Sequence, residues 1–266
     1  MAGAQATRQR LTLLADGVYV ATSGLMATTT TVVAGSAGGC LVIDPAVSAA
    51  DLAALAAELA GLGLRPMAGF ATHPHWDHLL WSRALGDVPR HAAPAAAAAA
   101  LAGRDELTAE LRAAAPGHDL DLFARISALP AGAAAVPWDG PRAIPIIHNG
   151  HAPGHAALFL PRAGVLVAGD MLSDVEIPLL DLAGADPYGD YVAGFGLLAA
   201  VAGVRWIVPG HGAVGDAVEF ARRVRQDQRY LGLLAAGRPF DDPRARPAWQ
   251  RAHHEQQRQR VAAKAG

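Results

Sequence analysis

The stretch Thr72-His73-Pro74-His75-Trp76-Asp77-His78 sets three imidazoles and a carboxylate within six residues, just after the apolar run Met67 to Ala71. Side chains this crowded compete for space and solvation unless a cation shares their lone pairs. Histidine nitrogen with aspartate oxygen is a donor set that Zn²⁺ accepts. A single histidine here would read as a packed core residue; three with an aspartate read as a metal site.

One loop rarely closes a coordination shell, so further ligands are sought downstream. Three loops offer them. His151-Ala152-Pro153-Gly154-His155 precedes an apolar run, Val165 to Ala168 leads through Gly169 to Asp170, and Trp206-Ile207-Val208-Pro209 leads through Gly210 to His211. Each candidate sits beside a strand-like segment. Strand ends converge on one edge of a sheet, and the neighbouring Gly or Pro lets the backbone turn sharply enough to aim a ligand.

The motif His73-x-His75-x-Asp77-His78, followed in order by the His155 after Pro153-Gly154, the Asp170 after Gly169 and the His211 after Gly210, resembles the signature of the metallo-β-lactamase-fold hydrolases. The resemblance runs from about Leu11 to Arg225. It implies two metals, most often zinc, with iron or manganese as alternatives. His73, His75 and His155 would hold the first, Asp77, His78 and His211 the second, and Asp170 would bridge them. The bridging position is Asp, as in the dinuclear thioesterase, lactonase, nuclease and phosphodiesterase branches, and not the Cys of some true β-lactamases. Two divalent cations close together lower the pKa of a shared water toward ~7 and polarise a carbonyl or phosphoryl oxygen. Asp77 is assigned a second role as the base that receives the water's proton.

The remaining candidates carry plainer readings. His148 and His151, in the loop leading to His155, could orient a ligand or touch substrate. They are not counted as ligands. His91, His118, His253 and His254 are read as packed or solvated. Cys40, the only cysteine, reads as a small buried hydrophobe. The resemblance gives Asp44 a supporting role, holding the metal-binding loop by hydrogen bonds.

The elements that must position these groups read as one large domain over 1–266, an αββα sandwich with a helical insertion at 92–129 and a C-terminal helical tail at 240–266. Gly-punctuated strands at Val18 to Ala21, Thr29 to Ala34 and Gly39 to Ile43 open it. A helix follows, with Ser48 and Asp51 in a capping-box pattern, Leu52, Leu55, Leu59 and Leu62 at helical spacing, and Gly61 and Gly63 closing it. Strand, helix and strand recur in the second half through Ile144 to Ile147, Ala157 to Leu160, Val165 to Ala168, Tyr188 to Val201 and Trp206. The tail is read as a frayed helix or as a surface for a second subunit, so a homodimer is one expectation.

Composition fits a soluble enzyme: 52% of residues are hydrophobic and the net charge is −2. The arginines of 222–225 and 244–260 are interleaved with Asp, Glu and Gln, which argues against a nucleic-acid partner. The polar start at 1–10 reads as carrying no leader, no apolar run reaches membrane-spanning length, and one cysteine permits no internal disulfide; a cytoplasmic setting is expected. Around the metals, Leu79-Leu80-Trp81 reads as core or as a cleft wall, Leu107, Leu111, Leu120, Phe123 and Ile126 as a lid, and Met171 to Pro178 with Tyr188 and Tyr191 as substrate contacts. A weakly charged apolar pocket fits a small ester, lactone or thioester. The expected activity is therefore metal-dependent hydrolysis of such a small-molecule substrate. β-Lactamase-like amide cleavage and a mono-iron, persulfide dioxygenase-type reaction are the alternatives.

Overall fold

The computed structural model describes residues 10–265; the expectation of a leader-free start falls on 1–9, outside the described residues. One sheet contains, in spatial order, β1 (Thr12–Ala15), β2 (Val18–Thr22), β3 (Thr29–Ala34), β4 (Gly39–Ile43), β5 (Arg65–Phe70), β6 (Arg90–Ala92) and β7 (Ser127–Ala128). β1 to β4 are antiparallel neighbours, while β4 to β7 run parallel and so need crossovers. α1 (Ala49–Gly61) makes the crossover from β4 to β5, and α2 (Pro94–Ala102) with α3 (Arg104–Ala114) lies between β6 and β7. Ser48 caps α1 by accepting the Asp51 N–H at 3.0 Å. Leu52, Leu55 and Leu59 bury one helical face against the sheet, at about 1.5–3 kcal/mol for each side chain.

The second sheet comprises β8 (Ile144–His148), β9 (His155–Leu160), β10 (Val165–Gly169), β11 (Trp206–Pro209) and β12 (Gly215–Asp216), with β12 and β8 at its edges. α4 (Pro187–Ala199) joins parallel β10 and β11, and α5 (Ala217–Ala235) and α6 (Ala248–Ala265) follow. The period-two alternation of strands separates two cores. Ala156, Leu158, Leu160, Val165, Val167 and Val208 face the first sheet, while Ala157, Leu166, Ala168 and Ile207 face α4 and α5. The layers are therefore helix, sheet, sheet and helix, as expected.

The two sheets meet along one seam that matters for chemistry. The Thr29 N–H donates to Gly210 O at 2.7 Å, the Thr29 hydroxyl donates to Pro209 O, and Thr28 bridges His211. The end of β11 is thereby fixed beside β3. No helix among the described residues is long and apolar enough to cross a membrane.

Two expectations change. Leu111 and Phe123 are buried in the main core, and Leu107, Leu120 and Ile126 pack against it, so these residues form a wall and not a lid. The C-terminal helix is not a solvated or frayed tail: buried Gln257 donates to the Tyr230 hydroxyl of α5, and Val261 packs on the second core. Leu79, Leu80 and Trp81 are core.

Candidate metal centre

β5 ends one residue short of the motif, and its continuation carries the Thr72 to His78 loop across the edge between the sheets. Asp44, at the end of neighbouring β4, holds that loop as expected. Its Oδ1 accepts the Thr72 N–H at 2.8 Å and its Oδ2 accepts the Thr72 hydroxyl at 2.7 Å. Asp44 does so from a left-handed backbone, φ 47°, which aspartate tolerates better than most residues.

The tautomers of the histidines are set by their outer nitrogens. Nδ1 of His73 lies 3.0 Å from the Thr72 hydroxyl oxygen, Nδ1 of His151 lies 2.8 Å from Leu179 O, and Nδ1 of His211 lies 3.0 Å from Met26 O. Nδ1 of His78 lies 2.9 Å from Asp44 Oδ2, a short contact that is poorly aligned with the ring N–H and so is chiefly electrostatic. The Thr72 hydroxyl gives its hydrogen to Asp44, and a carbonyl or carboxylate accepts only, so in the neutral form of each ring Nδ1 carries the proton and Nε2 keeps the lone pair. Those Nε2 atoms converge. His75 is the exception and turns Nδ1 inward, from a position open to the cleft.

Two donor groups result. In the first, His73 Nε2 is 3.1 Å from His75 Nδ1, which is 3.1 Å from His151 Nε2. In the second, Asp77 Oδ2 is 3.1 Å from His211 Nε2 and 3.4 Å from His78 Nε2. Asp170 lies between them: its Oδ2 approaches His73, His151 and His211 at 3.3, 3.4 and 3.3 Å, and its Oδ1 approaches His78 at 3.2 Å. Bare nitrogens facing one another at such distances repel unless a proton or cation lies between them. A tetrahedral site with ligand bonds of ~2.0–2.2 Å needs donors roughly 3.3–3.6 Å apart. The observed separations of 3.1–3.4 Å lie at or just below that range, and the buried Asp77 Oδ2 and Asp170 Oδ1 have no hydrogen-bond donor among the described residues. Both groups therefore suit divalent metals.

In the metal-free protein the groups differ electrostatically. Burial outweighs nearby Asp170 at His73 and lowers its pKa, and burial with the neighbouring His75 brings His151 down to about 3. At His78 and His211 burial is overcome by Asp170 and its fellow carboxylates, and both pKa values rise. Asp77 and Asp170 are buried, yet their histidine neighbours hold them well below the usual carboxylate range.

Six of the seven expected ligands are brought together; His155 is not. It is the first residue of β9, where its Nε2 accepts the Asp170 N–H at 3.1 Å and its Nδ1 faces His148 Nε2 at 3.2 Å. Both ring nitrogens are thus engaged away from the centre. Gly169 makes room for this: φ is 57°, and a Cβ there would lie 2.4 Å from His155 Nε2. His151 takes the place expected for His155. Glu176 was also missed; its carboxylate joins Asp170 and His211 in a third, overlapping donor group, and burial first among several causes pushes its pKa up to about 7.

The segment after Asp170 is braced from behind. Buried Arg223 donates to Leu172 O at 3.2 Å, and buried Arg244 donates to Ser173 O at 3.0 Å and to Asp227 at 2.6 Å. The Ser173 hydroxyl donates to His211 O at 2.8 Å and accepts the Glu176 N–H at 3.0 Å. Cys40 is buried, with its thiol pushed up to about 12 by burial, and takes no part. Met171 and Tyr191 are buried, and Tyr188 bonds Leu231 O, so these expected substrate contacts belong to the core behind the cleft.

The sequence profile described as "Metallo-beta-lactamase superfamily" matches residues 23–226. A search of curated proteins returns no match. Among solved structures, a beta-lactamase domain protein from Burkholderia ambifaria is similar at 17% identity and TM-score 0.67, covering 96% of this chain and 89% of its own. A metallo-beta-lactamase family protein from Thermus thermophilus is 24% identical, with TM-score 0.62 and coverage of 83% and 81%. TTHA1623, solved in a di-iron-bound form, is 24% identical, with TM-score 0.58 and coverage of 79% and 98%. With its fold, its His/Asp donor groups and a profile match over most of its length, the chain belongs to the metallo-beta-lactamase superfamily.

Proposed function

We propose that this protein is a dinuclear metal-dependent hydrolase of small acyl compounds, an ester, lactone or thioester. The observation that carries the reading is the pair of donor groups joined through Asp170 at the floor of one cleft of about 520 Å³. His73, His75 and His151 would hold one metal, Asp77, His78 and His211 the other, with Asp170 shared. Metals held there would acidify a water and polarise the scissile carbonyl.

The chain's own residues supply the rest. Asp77 presents one oxygen to the second group and has another with which to accept the water's proton. Asp44, Leu179 O and Met26 O fix the imidazoles that face inward, so little reorganisation is needed when substrate arrives. Leu179, Leu180 and Leu182 give the cleft an apolar side for the acyl portion. The fold neighbour with two irons makes iron as relevant a test as zinc.

The test is metal content of the purified protein, then turnover of lactones, thioesters, aryl esters, cephalosporins and phosphodiesters after loading with zinc, iron or manganese. Two metals per chain with chelator-sensitive turnover of an ester-type substrate is the expected result. One metal per chain, or turnover that survives loss of Asp170 in Asp170→Ala, would overturn the two-metal hydrolase.

A further inference from the structure

The acidic character of the cleft floor continues onto its walls. Beyond Asp77 and Asp170, three more carboxyl groups line it: Glu110 from α3, and Glu176 and Asp181 from the segment after β10, of which Glu176 is held partly protonated by burial. No lysine or arginine lines it among the described residues. Its wall histidine, His253, has its pKa lowered by burial, which disfavours the charged form. Two indoles complete the rim. Trp76 comes from the ligand loop, and Trp249, 52% exposed, comes from the first turn of α6.

Trp249 is held at the cleft by its helix. Buried Gln250 accepts the Ile177 N–H at 2.9 Å and donates to Val175 O at 2.8 Å, and buried Gln257 accepts the Leu180 N–H at 2.6 Å. These bonds clasp α6 to the segment that carries Glu176 and Asp181. Side-chain amides that replace strand-like pairing on a loop fix it in place, because breaking them strands buried polar groups. An exposed aromatic face among uncompensated carboxylates is the arrangement that recognises an ammonium group, by cation–π attraction and Coulomb attraction together. The buried Asp77 and Asp170 oxygens without a hydrogen-bond donor belong to residues lining the same cleft, so the metals they would help to hold lie at its floor.

Building on the hydrolase reading, we infer that the substrate is an acyl compound whose tail carries a positive charge, an amine or quaternary ammonium, seated between Trp76, Trp249 and the carboxylates of Glu110 and Asp181. An anionic tail meets only like charge on these walls, and its carboxylate finds no cationic side chain.

The test uses metal-loaded protein and three matched p-nitrophenyl esters, whose acyl tails end in trimethylammonium, in its uncharged tert-butyl isostere or in carboxylate. The matching three hydroxamates, which chelate metals without turning over, are titrated by calorimetry. At low ionic strength the cationic compound is expected to exceed the anionic one by about tenfold or more in kcat/KM and in affinity, with the gap shrinking as salt is added. Glu110→Gln and Trp249→Ala should each narrow the gap several-fold with metal content unchanged. Equal or tighter binding of the carboxylate hydroxamate overturns the inference. Hydroxamate binding in the expected order without ester turnover overturns the hydrolase reading while upholding the cleft's preference for a cationic tail; a protein that takes up no metal overturns both.

Discussion

Asp44→Asn is expected to weaken the second metal selectively, by about 10- to 100-fold, while leaving the fold and the first metal nearly unchanged. The substitution is nearly isosteric, and asparagine tolerates the left-handed backbone that Asp44 adopts. Its carbonyl oxygen can still accept the Thr72 N–H. The other end becomes an NH₂ that donates where a carboxylate oxygen accepted. Thr72 can adapt, because its hydroxyl turns and its oxygen has lone pairs for both the new donor and His73 Nδ1. His78 cannot adapt without loss. Its Nδ1, 2.9 Å from the altered group, must either oppose an N–H with an N–H or give up its proton to Nε2, the atom that faces Asp77, Asp170 and His211. Replacing this buried electrostatic attraction by an N–H facing an N–H costs about 1–3 kcal/mol, and 1.4 kcal/mol is tenfold in affinity. Losses on that scale are ordinary for groups that orient a metal-bound histidine. Zinc titration against a competing chelator, with thermal unfolding of the metal-free protein alongside, reads both quantities. Unchanged affinity for both metals would refute the tautomer argument. Equal weakening of both would instead show that the whole ligand loop had shifted, the result expected of Asp44→Ala, which also strands the Thr72 N–H.

Two further outcomes follow from the same geometry. His151→Ala is expected to remove the first metal and bring stoichiometry from two to one, whereas His155→Ala should keep two metals bound and lower their affinity by about tenfold through a loosened Asp170; the reverse pattern, read by metal analysis, would return His155 to the ligand set. Binding of the second metal should release protons and tighten as pH rises, because His78 and His211 have raised pKa values in the metal-free protein and must be deprotonated to ligate. The first metal should bind with the weaker pH dependence, since burial lowers the pKa of His73, His75 and His151 alike and leaves them fewer protons to lose. Calorimetry in buffers of differing ionisation enthalpy counts those protons, and proton release confined to the first metal would contradict the assignment.

Most of the framework was legible because periodicity and motif spacing are local properties. β3 and β4 run over the residues whose pattern marks them, and Ser48 caps α1 as its spacing with Asp51 predicts. What escaped depends on partners far along the chain. Leu111 and Phe123 carry no sign of whether their apolar faces meet a substrate or the main core. Gln250 and Gln257 look like part of a solvated polar tail, yet each is buried because a loop more than seventy residues earlier needs its amide. Arg223 and Arg244 sit in a stretch of mixed charge, and only the fold turns them inward to the carbonyls behind Asp170.

The exchange of His155 for His151 shows the same limit at the scale of four residues. Both flank Ala152-Pro153-Gly154, so proximity to a turn does not separate them. The strand ladder does. His155 pairs with His148 across β8 and β9, and a side chain committed to a sheet position stands perpendicular to the strand, here beneath Gly169. His151 precedes the strand, on backbone free to point beyond the sheet edge where the Thr72 to His78 loop also ends. A ligand that must reach past the end of a sheet belongs on the loop, and a histidine that opens the strand is placed to hold the next strand's aspartate. The extension of the apolar run back from Ala157 to His155 was the available signal, since it makes His155 the start of β9 instead of the end of the loop.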